Sequence, residues 1–194
     1  MISTSPNPVL LHLRNATADL HKKLDQSLPL ASAHPSLEDY TQHLLGFKNW
    51  LSDIGASMDG SSLVSPELLA LNATALRLLA SDLQALNVQE SPAPSFPDNS
   101  IRLNAGFCLG IEYVVKGSAL GSAMLYRKAS ALFPSAPVTF MQDAMMHGKD
   151  RWKQFLVKLE THMWTEDDLS SAREGSIWAF QRYIQLHEMS LNTQ

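Results

Sequence analysis

His21 is the residue of this chain best placed to do chemistry. In the segment 8–28 the apolar or small residues Leu10, Leu13, Thr17, Leu20, Leu24 and Leu28 recur at three- and four-residue steps, which defines one face of a helix. His21 stands four residues after Thr17 and three before Leu24, so its imidazole is expected to point inward with that face. A histidine there is either a core residue with a satisfied hydrogen bond or a ligand, because neutral imidazole packs acceptably and also binds metals. His43, on a second apolar face with Tyr40 and Phe47, is the serious rival for the ligand role.

A complementary pattern occurs far downstream, in 110–129. Gly117 and Gly121 fall one turn apart in an otherwise helical stretch, and each costs roughly 1 kcal/mol relative to alanine there. With Ser118, Ala119 and Ser122 beside them, they strip one helix face nearly to backbone, so that another group can lie almost against the main chain. That group is either a neighbouring helix or a flat cofactor.

Together these segments resemble the haem oxygenase family, and its bacterial, biliverdin-producing branch in particular. Leu13, Arg14, Ala16, Thr17 and His21 match the family's L-R-x-A-T-x-x-x-H opening, in which the histidine is the proximal iron ligand. Tyr113, Val114, Gly117, Ser118, Leu120 and Gly121 match its distal Y-V-x-x-G-S-x-L-G-G, with Ser122 in place of the last glycine. Residues 179–188, AFQRYIQLHE, are similar to its closing helix, and 151–155 resemble its basic and aromatic stretch.

The resemblance implies an all-α, single-domain helical bundle with haem between the first, proximal helix and a kinked, glycine-containing distal helix. Haem would be both cofactor and substrate, opened to biliverdin, carbon monoxide and ferrous iron with O2 and electrons from a ferredoxin or flavoprotein reductase, and a bilin-using protein would follow. His21 would hold the iron, Gly117, Ser118 and Gly121 would form the catalytic face, and Arg14, Thr17, Tyr113, Lys153 and Phe180 would contact the ring or its propionates. Arg151 and Lys149 neighbour Lys153, and His187 aligns with an aromatic pocket position beside Phe180. Animal members carry an aspartate where this chain has Ser118, so an ordered water held by Ser118 or by backbone would deliver the proton. Two other classes fit the same residues: a haem carrier or sensor of this fold, and a helical interaction module in which Gly117 and Gly121 only admit a neighbouring helix.

Bulk properties agree with a soluble enzyme of this size. The chain of 194 residues is 45% hydrophobic and 18% charged, ordinary for one globular domain. A net charge of −4 with no basic run longer than two residues argues against nucleic acid as partner. No apolar run approaches a membrane span, and the first fifteen residues lack the pattern of a secretory signal. Cys108 is the only cysteine, so no internal disulfide forms and the cytoplasm is the expected compartment.

The elements that must position these residues are all helical, since no strand-length alternation occurs. A flexible lead, 1–7, precedes a helix over 8–27 in a helical domain running to 191. A second helix starts at Ser36 with Asp39 as its capping partner, and Gly60 marks its end. Ser65 and Pro66 open a third, to about residue 87, and a proline-rich connector fills 90–100. The pattern over 101–133 is helical, with Gly106, Gly110, Gly117 and Gly121 placing a bend in it. A short helix at 138–146, a break at His147 and Gly148, and a helix over 149–163 follow. Thr165 and Asp168 cap the last one. His12, His34, His147 and His162 read as solvated, and the Glu-x-x-His spacing of di-metal bundles is almost missing.

Overall fold

The computed structural model describes residues 7–88, 101 and 103–192; the expected lead up to residue 6 and the connector at 90–100 lie outside them. Six α-helices and no strand occur among the described residues, and none of these helices is long and apolar enough to cross a membrane.

Local chemistry sets most of the helix ends. Helix α1 (Pro8–Ser27) starts where the Asn7 side chain accepts the amides of Val9 and Leu10, and Leu28 and Pro29 turn it into a single 3-10 turn at Pro29–Ala31. Helix α2 (Leu37–Met58) opens with a reciprocal capping box: the Asp39 amide donates to Ser36 Oγ at 3.1 Å and the Ser36 amide to Asp39 Oδ2 at 2.7 Å. Ser65 caps α3 (Pro66–Ala85). Helix α4 (Ala105–Leu132) begins later than its hydrophobic pattern, because the Asn104 side chain accepts the Phe107 amide and fixes the start. Thr165 and Asp168 cap α6 (Glu166–Asn192) reciprocally, as their spacing predicts.

Helix α5 (Thr139–Thr161) departs from the sequence reading, since it runs unbroken through His147 and Gly148. Gly148 is not a breaker here: it lies against Ala119 of α4, whose Cβ a side chain at 148 would meet at 3.6 Å. The start of α5 is also set from a distance. Val138 offers no side-chain cap, and the carboxylate of Asp82 on α3 instead accepts the Thr139 and Phe140 amides and the Thr139 hydroxyl, an acid placed at the positive end of the helix dipole.

Helix α4 lies at the centre, packed on α5 and α6, while α1 and α2 flank α6 and α3 backs α2. Leu13, Tyr40, Leu44, Ile54, Ile111 and Phe155 are fully buried in the core between them. Buried polar groups tie the layers. Trp50 Nε1 donates to the Ala179 carbonyl at 2.9 Å, Arg182 forks onto Asp53 at 2.6 and 2.7 Å, and Glu112 accepts from Lys116 and Lys158, each at 2.6 Å. Pairs of this kind add little net stability, whereas removing one partner leaves a buried charge uncompensated and is costly.

Gly106 and Gly110 leave the helical bonding of α4 uninterrupted. They serve a close crossing. A Cβ at Gly110 would fall on the Ala172 carbonyl oxygen of α6, one at Gly106 on that of Asp168, and one at Gly175 on that of Phe107. Backbone cannot yield as a side-chain tip can, so Gly110→Ala is expected to cost about 3 kcal/mol through forced separation of α4 and α6. Gly121→Ala, which meets nothing within 4 Å, is expected to stabilise by up to about 1 kcal/mol through helix propensity. Urea unfolding of the two variants checks the contrast; equal effects would remove the crossing role of Gly110.

Candidate functional site

A cavity of about 880 Å³ opens between α1 and α4, with α2 and α6 as its floor and Trp152 of α5 on one side. Helix α1 supplies Arg14, Thr17, Ala18, His21 and Lys22; α4 supplies Tyr113, Gly117, Ser118, Gly121 and Ser122. The floor is His43, Phe47 and Trp50 of α2 with Phe180 and Tyr183 of α6. Five helices, from Arg14 of α1 to Tyr183 of α6, therefore meet at one site, which has the size of a small-molecule pocket.

Arg14, Thr17, His21, Tyr113, Gly117, Ser118, Gly121 and Phe180 line this cavity, whereas Lys153, its neighbours Lys149 and Arg151, and His187 do not. The Lys153 side chain is 74% exposed and pairs with Asp150 at 3.3 Å. The reason is the phase of α5: Trp152 and Phe155 face inward, and a residue one step from Trp152 is turned about 100° away. Arg151 is held by Asp143 at 2.6 Å. The cations at the cavity mouth are Arg14 and Lys22. Lys22 was legible in principle, because residues 14, 18 and 22 share a helical stripe.

His21 lines the cavity, although it is not enclosed as its place on the apolar stripe suggests. Its side chain is 60% exposed, since the stripe beyond Thr17 forms a wall of an open cleft. The imidazole packs on Phe180 with ring centroids 5.8 Å apart, and Asp25 Oδ2 lies 2.9 Å from Nδ1. A carboxylate there accepts the Nδ1 proton and leaves a lone pair on Nε2, the arrangement that orients and enriches a metal-binding histidine. Opposite, Gly117 and Gly121 lie against no backbone of another helix. A Cβ at Gly117 would meet only the Trp152 ring edge, at 3.8 Å, and one at Gly121 would meet nothing within 4 Å. The glycines that admit a neighbouring helix of this chain are Gly106, Gly110 and Gly175.

Thr17 donates to the Leu13 carbonyl and lies 3.5 Å from the Tyr113 hydroxyl, so α1 and α4 touch at the buried corner of the cleft. Ser118 Oγ donates to the Val115 carbonyl at 2.8 Å. Its proton is therefore committed, and its lone pairs remain.

His43 is 3% exposed and neither ring nitrogen has a hydrogen-bond partner. Burial, and secondarily repulsion from His187, lowers its pKa to about 3, so it is neutral at physiological pH. Tyr183, 4% exposed, also has an unpartnered hydroxyl, and burial raises its pKa. His187 does not line the cavity; it lies buried behind Tyr183, with its Nε2 3.3 Å from the Ser27 carbonyl. Among the histidines expected in solvent, His34, His147 and His162 are exposed, whereas His12 is half-buried with a shielded, unpartnered Nε2. Tyr183 and Ser122 were missed as site groups. Their only sequence signal was a polar atom on a buried face.

No protein-family model and no curated protein sequence matches the chain. The fold does have a solved counterpart. A haem oxygenase from Neisseria meningitidis, determined with NO and CO bound, superposes with a TM-score of 0.70 over 95% of this chain and 92% of that one, at 20% sequence identity. The chain has the haem oxygenase fold, an all-helical bundle.

Proposed function

We propose that this protein is a haem oxygenase, which binds haem in the cleft between α1 and α4 and opens it oxidatively to biliverdin, carbon monoxide and ferrous iron. The observation that carries this reading is His21, with Nδ1 held by Asp25, across an open cleft from a glycine-bared helix face. The residues present fit the group. The cavity has room for it, a side chain at Gly121 would fill that room, and a neutral imidazole is the donor an iron porphyrin takes. The chemistry supplied by the bound group is oxygen activation at iron and a macrocycle that is itself oxidised.

The chain's own residues hold, orient and shield. His21 holds iron from the α1 side. Arg14 and Lys22 at the mouth offer cations to the carboxylates of the ligand. Phe47, Trp50, Trp152 and Phe180 give the flat apolar walls, and Gly117 and Gly121 bring backbone against the opposite face. Oxygen and electrons come from outside, the latter from a ferredoxin or flavoprotein reductase, and a bilin-using protein is the expected recipient of the product.

A second reading, a haem carrier or sensor of the same fold, is favoured by one observation. The only carboxylate lining the cavity among the described residues is Asp25, and it is engaged by His21. Proton delivery must then run through water held by Ser118 lone pairs and backbone, which need no carboxylate. With ascorbate, oxygen and catalase present, the Soret band of the haem complex is expected to decay while biliverdin and carbon monoxide appear. Ser118→Ala is expected to slow this less than tenfold, because the Ser118 proton is already committed to Val115. Haem that survives these conditions unchanged would assign the protein to the carrier class.

A further inference from the structure

Eight methionines occur in the chain, and two of those described stand largely in solvent, Met163 at 91% and Met124 at 80% exposure. Their settings differ. Met163 follows the end of α5 and does not line the cleft, whereas Met124 lines it. Within the continuous helix α4, Met124 comes seven positions after Gly117 and three after Gly121, and both spacings return to the same helix face. Long helical side chains lean toward the preceding turn, which here is the bare backbone at Gly121, where an added Cβ would meet nothing within 4 Å. Leu120 and Leu125, its neighbours on α4, line the cleft as well, so the thioether belongs to an apolar stretch of the α4 wall. A single exposed methionine on a surface needs no explanation. One that borders a ligand cleft couples its own chemistry to the cleft.

We propose that Met124 is a redox-modified residue of the cleft: hydrogen peroxide converts its thioether to the sulfoxide when the cleft is empty, and the sulfoxide weakens the binding of a flat tetrapyrrole. The inference rests on the proposed function and adds a regulation of that same site. In the reaction one peroxide oxygen passes to sulfur. The O–O bond breaks, an S–O bond forms, sulfur loses two electrons, and the other oxygen leaves as water with both peroxide hydrogens. Access decides which methionine reacts. Met58 and Met141 are buried in the core and are protected, while Met124 stands open. A ring lying against Gly121 covers the neighbouring thioether, so a loaded cleft is protected and an empty one is not. The product is a different surface. A sulfoxide oxygen is an acceptor that water satisfies in the empty cleft, and an apolar ring face pressed over it removes that water and supplies no donor. The change is reversed when a sulfoxide reductase restores the thioether, so peroxide withholds the site from its ligand without unfolding the chain.

Site-resolved oxidation tests this without iron. The protein is treated with hydrogen peroxide in the dark, with the cleft empty or loaded with protoporphyrin IX, the reaction is quenched with catalase, and the methionine peptides are weighed by mass spectrometry. Met163, comparably exposed and outside the cleft, is the internal reference. In the empty protein Met124 and Met163 are expected to oxidise at similar rates. With the ring at about ten times its dissociation constant, Met124 is expected to slow about tenfold while Met163 is unchanged. Ring affinity is then read from quenching of Trp50 and Trp152, which line the cavity, and is expected to fall about tenfold once Met124 is converted. Met124→Leu, which has no sulfur to oxidise there, is expected to bind equally before and after peroxide. Equal oxidation of Met124 with and without bound ring, or an affinity unchanged by its full conversion, would overturn the switch while leaving the haem cleft standing. Failure of the ring to bind the untreated protein would overturn the proposed function and the switch with it.

Discussion

A Gly121→Leu variant is expected to fold at least as stably as the wild type and to lose haem affinity by about a hundredfold or more, roughly 2.7 kcal/mol. The two halves of this expectation have separate causes. Gly121 lies within the continuous helix α4, and a Cβ there meets nothing within 4 Å, so leucine gains about 0.8 kcal/mol of helix propensity with no clash. That empty space is the cleft itself, and a leucine side chain would stand where the flat ligand has to lie. A stabilised protein that no longer binds is a combination that general damage cannot produce. Haem titration and thermal unfolding of the same preparation check it. Unchanged turnover with a lower melting temperature would place Gly121 at a helix contact instead.

The contrast between Gly121 and Gly110 shows how far the sequence could be read. Both are glycines in one helix with the same apparent cost, and their difference lies entirely in what faces them, the α6 backbone at one and open space at the other. Periodicity gives the face of a helix without naming its partner. Capping signals, by contrast, are local. Ser36 with Asp39, Ser65 with Pro66 and Thr165 with Asp168 were therefore readable. The cap of α5 was not, because Asp82 supplies it from 57 residues away. Gly148 suggested a break for the same reason, since its contact with Ala119 is visible only once α4 and α5 are packed.

At the site, the residues carried by short motifs, Arg14, Thr17, His21, Tyr113, Gly117, Ser118, Gly121 and Phe180, all reach the cavity. Lys153 does not: the resemblance of the stretch 151–155 suggested it, and one step from the inward-facing Trp152 its side chain turns to solvent. His21 shows both sides of the limit: its helix and face were legible, while its 60% exposure reflects a cleft that one helix cannot reveal.

The proposed activity requires His21 as the iron ligand, and the ferric haem spectrum of a His21→Ala variant tests that most directly. In the wild type Asp25 Oδ2 lies 2.9 Å from His21 Nδ1 and leaves Nε2 to bind, whereas the rival, His43, is 3% exposed with both ring nitrogens shielded. Removing an exposed side chain at the cleft wall should leave stability within about 0.5 kcal/mol and leave a space that free imidazole can enter. The expected result is loss of the histidine-ligated spectrum in His21→Ala, its partial return with added imidazole, and its retention in His43→Leu. Retention in His21→Ala together with loss in His43→Leu would contradict the assignment.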